Sequence, residues 1–270
     1  MFKLPQGVAS GDQEMRDNTP VVAMAEPASV VKHLLQCCYP LTAVGGIAFE
    51  SVVEVFKLSE AAQKYDVAGV EAIARCAIGP KSGLMINYPF EVYALAAEYK
   101  WEEEVRVAAR KCLLNGPPWS YPSSQIMESV SGAILRRLDR YFTQCGDAAK
   151  TTVRAIDWPT VCRSLSNCSG CRQTQEKIWI TVNSTQRSEY HPNIYWMVYL
   201  GEVRNILDQR PDGSAALDAD VMVTANGKLG TCESCLKKVP AVLRTMCDMA
   251  RHLEAEINKS LDKVELEVKL

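Results

Sequence analysis

The sequence predicts a mainly α-helical protein, and three observations carry that reading. Apolar residues recur at intervals of three and four along most of the chain, as on one face of a helix. Strand signals are few: a short apolar run from Val21 to Ala25, and strict alternation only in the terminal VELEVKL. Apolar residues make up 47% and charged residues 23% of the 270, the balance of an ordinary folded protein with room for one large domain or two modest ones.

Val8 to Pro20 is polar, carries Gly11 and Pro20, and reads as an exposed loop. After the Val21–Ala25 strand, Pro27-Ala28-Ser29 opens a helix with Val30, Val31, Leu34, Leu35 and Cys38 expected inward, stopped at Pro40. His33 within it reads as a solvated or hydrogen-bonded side chain. Leu41 to Glu50 is a glycine-containing loop. Two helices joined at Asp66 follow. Val55, Leu58, Ala62 and Tyr65 form the first inward stripe, and Val70, Ile73, Ala74 and Ala77 the second. Gly79 and Pro80 end the pair.

Pro89 to Glu98 carries Val92, Leu95, Ala96 and Tyr99 at helical spacing. Trp101 begins another helix with Val105, Ala108 and Cys112 on one face, and Glu102, Glu103 and Glu104 at its positive end. Ser123 to Val130 predicts a short helix, and Ala133 to Val153 a long one with Leu135, Leu138, Phe142 and Cys145 inward. Arg136, Arg137 and Arg140 share its other side, which reads as a solvated face before an anion site. Composition shifts at Ala155–Pro159. Beyond it come a helix from Ile194 to Leu207, a turn at Pro211–Ser214, a helix from Leu217 to Ala225, and a turn at Asn226-Gly227. Val239 to Lys259 is the clearest long helix, striped by Val242, Met246, Met249, Leu253 and Ile257. Val264, Leu266, Val268 and Leu270 then alternate with charge as a terminal strand. The expected modules are 1–80, 81–155 and 156–270.

The segments VVAMAEPASVVKHLLQCCYPL and SEAAQKYDV, a strand, a helix ending in Cys-Tyr-Pro and a helix with Ala-Ala-x-Lys-Tyr-Asp-Val, resemble the second half of a BTB/POZ domain. Met1-Phe2-Lys3-Leu4-Pro5-Gln6 looks like the tail of the segment that closes that family's opening hairpin, long helix and third strand. The resemblance thus implies an N-terminally truncated BTB/POZ-like α/β module lacking the dimer-forming first helix, hence a monomeric or weakly self-associating chain. Trp158, the paired cysteines, Trp179, Trp196, Arg210-Pro211 and the terminal Glu256-Ile257 and Asp262–Val268 stretch resemble the C-terminal half of an expanded fungal group of BTB-containing proteins. The family implies protein–protein interaction, as an adaptor or scaffold. Docking onto a cullin-type ubiquitin ligase scaffold is also implied, although the acidic hydrophobic-x-Glu element that favours it has no counterpart around Phe2 to Gln6.

Catalysis finds little support. The three histidines, His33, His191 and His252, sit in no nucleophile or metalloprotease motif, and Gly45-Gly46 lacks the spacing of a phosphate loop. A net charge of −2 and a pI near 6.0 give no electrostatic footprint for nucleic acid. No apolar run is long enough to span a bilayer and none forms a leader, so a cytoplasmic or nuclear location is expected without membrane attachment. Eleven cysteines are many. Cys168, Cys171, Cys232 and Cys235 form two Cys-x-x-Cys pairs, and four thiolates complete the tetrahedron of a structural zinc site. The alternatives are unligated core cysteines, a disulfide within a pair, or a thiol oxidoreductase, which would need a βαβ context that neither pair has. Cys162 and Cys247 are expected to be buried free thiols. A zinc-stabilised nucleic-acid-binding or transcription-associated protein is a further alternative. It is disfavoured because Lys237-Lys238 is the one basic pair beside these cysteines.

Overall fold

The computed structural model describes residues 14–17, 19–39, 47–121, 123–155, 178–182, 186–190, 194–228 and 233–267. The chain is mainly helical and divides into two compact units, Met1–Ala77 and Ile78–Leu270.

In the first unit a minimal hairpin pairs β1 (Met15–Arg16) with β2 (Thr19–Pro20). It lies where the sequence predicts a loop. Val21–Ala25, expected as a strand, is irregular instead: the Val21 amide donates to the Glu14 carbonyl at 2.8 Å, and among the described residues no segment continues that pairing along the rest of the stretch. Helix α1 (Ala28–Cys37) follows Pro27, whose extended backbone sets the chain for the first turn. Helix α2 (Val52–Tyr65) starts at Ser51, whose Oγ accepts from the Glu54 amide. Glu54 reaches back to accept from the Glu50 amide at 2.9 Å, a variant of the reciprocal capping box. Asp66 adopts the left-handed conformation at φ 52° and closes α2, and α3 (Val70–Ala77) begins after Gly69 at φ 86°.

In the core of this unit Val30 and Leu34 of α1 pack with Leu58, Ala61 and Ala62 of α2 and Val70 of α3, and Val52, Val55, Phe56 and Ala74 are buried as well. Three expectations are corrected. Leu35 and Cys38 are exposed, because the i, i+4 pair Val30 and Leu34 already occupies the width that α2 can cover. Tyr65 is exposed too, since its hydroxyl donates to Glu26 Oε2 at 2.6 Å and draws the ring to the surface. Ile73 and Ala77 are half-buried, leaving Val70 and Ala74 as the buried line of α3. His33 meets Phe49 edge-on at 5.2 Å.

The second unit is built on α4 (Gly83–Asn87), α5 (Pro89–Glu98), α6 (Glu102–Cys112), α7 (Gln125–Ser129), α8 (Gly132–Ala155), α9 (Ile194–Gln209), α10 (Ala219–Gly227), α11 (Glu233–Leu236) and α12 (Val239–Leu261). Helix α5 is buried from Val92 to Ala97, and its small alanines let α6 pack against it closely. Helices α9 and α12 both pack on α8, so one core joins them. Its inward positions include Leu138, Phe142, Cys145, Leu253 and Ile257, while Leu135, Val242 and Met249 are half-buried. Two of its buried tyrosines are satisfied by backbone: Tyr93 donates to the Ile134 carbonyl at 3.0 Å, and Tyr199 to Ala216 at 2.8 Å. Asn258 of α12 ties two elements together. Its Oδ1 accepts from Arg110 Nη2 at 2.9 Å and from the Gly213 amide at 3.3 Å.

Strands β3 (Ile178–Val182) and β4 (Gln186–Tyr190) form an antiparallel hairpin in the register Ile178↔Tyr190, which the sequence reading did not anticipate. The terminal strand is corrected for its described part. Residues 264–267 are irregular and have no partner strand among the described residues, although Leu266 is buried and Glu265 and Glu267 are exposed as the alternation implied. Arg140 Nη1 meets both oxygens of Glu267, at 3.0 and 2.8 Å, and holds that segment down. The arginine face of α8 is therefore partly committed to the protein itself.

Candidate functional site

The first unit leaves one face of α1 open. Val30 and Leu34 point into the core, and the opposite side shows Leu35 at 56% exposure, with Tyr39 just beyond the helix at 63%. The irregular Val21–Met24 stretch runs beside them, and Val22 is 74% exposed. Val22, Met24, Val31, Leu35 and Tyr39 wall a groove of about 550 Å³, with Lys32 and Gln36 at its edge. Contiguous exposed apolar surface of this kind marks an interaction site more often than a scatter of single residues does.

Helix α1 is held in place from its start. Glu26 accepts from Lys64 Nζ at 2.6 Å and from the Tyr65 hydroxyl at 2.6 Å, which ties the entry of α1 to the last turn of α2. Those hydrogen bonds from Lys64 and Tyr65 draw the Glu26 carboxyl from the ordinary 4.5 down to about 2. The open face is thus carried by an anchored helix, and a partner would meet it already shaped.

The Cys37 thiol is not activated. Burial, and then the neighbouring Cys38, push the Cys37 thiol upward, while Cys38 Sγ lies 3.4 Å from the Leu34 carbonyl. In the second unit burial raises Cys112 strongly and pushes Cys145 to about 11. A thiol so raised is a poor nucleophile at neutral pH.

Of the predicted zinc ligands, Cys168, Cys171 and Cys232 lie outside the described residues, as does Cys162. Cys235 falls on α11, but its side chain is outside them too. Cys247, expected buried, is free and exposed on α12, one step off the inward line of Met246 and Ala250. Among the described residues no group of three His, Cys, Asp or Glu side chains is placed to hold a metal ion, and no helix is long and apolar enough to cross a membrane.

The groove residues Val22, Met24 and Tyr39 were not singled out from the sequence. A signal was present. Val30, Val31, Leu34, Leu35, Cys37 and Cys38 cover more of the helix circumference than one core-facing stripe needs. No protein-family model matches the chain, and no curated protein or solved structure matches it.

Proposed function

We propose that this chain is a non-enzymatic protein–protein interaction module of BTB/POZ type, working as an adaptor or scaffold in the cytoplasm or nucleus. The observation that carries the reading is the open apolar face of α1, where Val22, Leu35 and Tyr39 stand in solvent beside a groove of about 550 Å³. The order of segments supports the family: an apolar stretch, α1 with its Leu34-Leu35 and Tyr39-Pro40, then α2 and α3 meeting at Asp66. The raised thiols of Cys112 and Cys145 favour a structural role for these buried cysteines. A structural zinc held by Cys168, Cys171, Cys232 and Cys235 belongs to the same reading; metal analysis of protein purified under reducing conditions, repeated on Cys168→Ser and Cys232→Ser, tests it.

The functional test uses two defined partners: a second copy of the chain, followed by sedimentation velocity, and a purified cullin-type scaffold, followed by calorimetric titration. Binding to either that is lost in Leu35→Glu, with the melting temperature kept, supports the module. Failure to bind either, or binding unchanged by Leu35→Glu, removes α1 from the account.

A further inference from the structure

The second unit carries an aromatic cleft that owes nothing to α1. Phe90 of α5 and Tyr121 stack in parallel, ring centroids 4.9 Å apart and planes 3° from one another. Trp119 lies in the 3-10 turn Pro118–Ser120 and is 67% exposed, yet its ring meets Phe142 of α8 edge-on at 5.7 Å and so has a fixed orientation. With Met127 and Leu135 these rings wall a cleft of about 400 Å³, within the range of sites that seat a small ligand or a few residues of a peptide.

The polar groups of the cleft are few. The Tyr121 hydroxyl is shut off from water and has no hydrogen-bond partner. Burial pushes it up to about 12, so at neutral pH it keeps its proton. Asp139 and Arg136 stand one turn apart on α8 and both line the cleft; neither side chain has an ion pair or a hydrogen bond among the described residues. Ser123, by contrast, is occupied, its hydroxyl donating to Glu128 at 3.0 Å.

We propose that this cleft binds a proline-rich segment of a partner protein, in the polyproline II conformation, with a lysine or arginine beside the prolines. Such segments dock on aromatic-lined grooves because their rings pack flat on aromatic faces and their conformation is set before binding. The charge follows from the burial of the two ionic side chains. Arg136 is exposed and well hydrated, so a partner anion would gain little there. Asp139 is half-buried without a counter-ion, and it is the group that a cationic side chain would complete. A phosphate-bearing ligand would face Asp139.

The test titrates the full chain with a short oligoproline peptide ending in arginine, read by tryptophan fluorescence and by calorimetry. Saturable binding is expected. Trp119→Ala should weaken it about tenfold or more, since a truncated interface tryptophan is commonly a dominant loss. Tyr121→Phe keeps the stack on Phe90 and removes a hydroxyl that faces no solvent, and should leave binding unchanged. Asp139→Asn should weaken the arginine peptide and leave a glutamine-ended one unchanged. Leu35→Glu, in the other unit, should have no effect. No saturable binding, binding undiminished in both Trp119→Ala and Asp139→Asn, or equal binding of a glycine–serine peptide ending in arginine would each overturn the proposal.

Discussion

Both units leave some large apolar residues in water, and they differ in the size of the side chains they enclose. In the second, Trp196, Tyr93, Tyr195, Tyr199 and Leu138 are fully enclosed, and Tyr93 and Tyr199 find backbone carbonyls for their hydroxyls. In the first, the core uses one side of α1, through Val30 and Leu34, while Leu35, Tyr39 and Val22 stay in water. Adjacent leucines of one helix make the contrast sharpest: Leu34 is buried and Leu35 exposed. Exposed apolar surface contributes nothing to folding, since burial is what stabilises. An apolar residue such as Leu35 therefore points to a role other than stability.

The largest effects should come from the enclosed positions. Leu138→Ala in the second unit and Leu34→Ala in the first should each cost about 2–5 kcal/mol, from lost burial and the cavity left behind. Denaturant melts check this, and a neutral Leu34→Ala would erase the difference between the two faces of α1. Gly213→Ala comes next. An added Cβ would sit 2.5 Å from Asn258 Nδ2, and Asn258 cannot swing away without releasing Arg110 and the Gly213 amide. A loss of about 1–3 kcal/mol is expected from those broken hydrogen bonds, read as a lower urea midpoint.

Local contacts of the first unit follow. Ser51→Ala removes the acceptor for the Glu54 amide and should cost about 0.5–2 kcal/mol. Glu26 adds a pH dependence. Its pairing with Lys64 and Tyr65 lowers the folded-state pKa from 4.5 to about 2, so its stabilising effect is present above about 4.5 and lost as pH falls toward 2. Urea midpoints followed by a first-unit probe should fall over that interval in the wild type and fall less steeply in Glu26→Gln; parallel curves would remove the Glu26 clamp from the account.

Much of the fold was legible because helices announce themselves locally. The stripe of Val105, Ala108 and Cys112 and the buried line of Met246, Leu253 and Ile257 are where the 3.6-residue period puts them. Strands were less legible, because a strand depends on a partner that a local pattern does not reveal. Val21–Ala25 is apolar and Val264–Glu267 alternates, yet among the described residues neither is paired as a strand. Ile178–Val182 does pair, with Gln186–Tyr190, whose polar run gave no signal of its own. Tyr65 misled for a different reason: it lies on the inward period of α2, but its hydroxyl is claimed by Glu26. The candidate face was legible only as an excess of apolar residues on α1. The sequence could not say which of them α2 would cover. The cysteine pairs were the clearest chemical signal, and they fall outside the described residues or have no described side chain.

The most direct test of the account places a photo-reactive amino acid at position 35, on the open face of α1, and in parallel at position 223. Val223 is 69% exposed on α10 and lines neither described cleft, so it reports chance encounters. Irradiated in cells, the chain labelled at 35 should give discrete adducts with one or a few proteins, a second copy of itself included, and the chain labelled at 223 should not. Matching adduct patterns at the two positions, or none at position 35, would contradict the claim that α1 presents an interaction face.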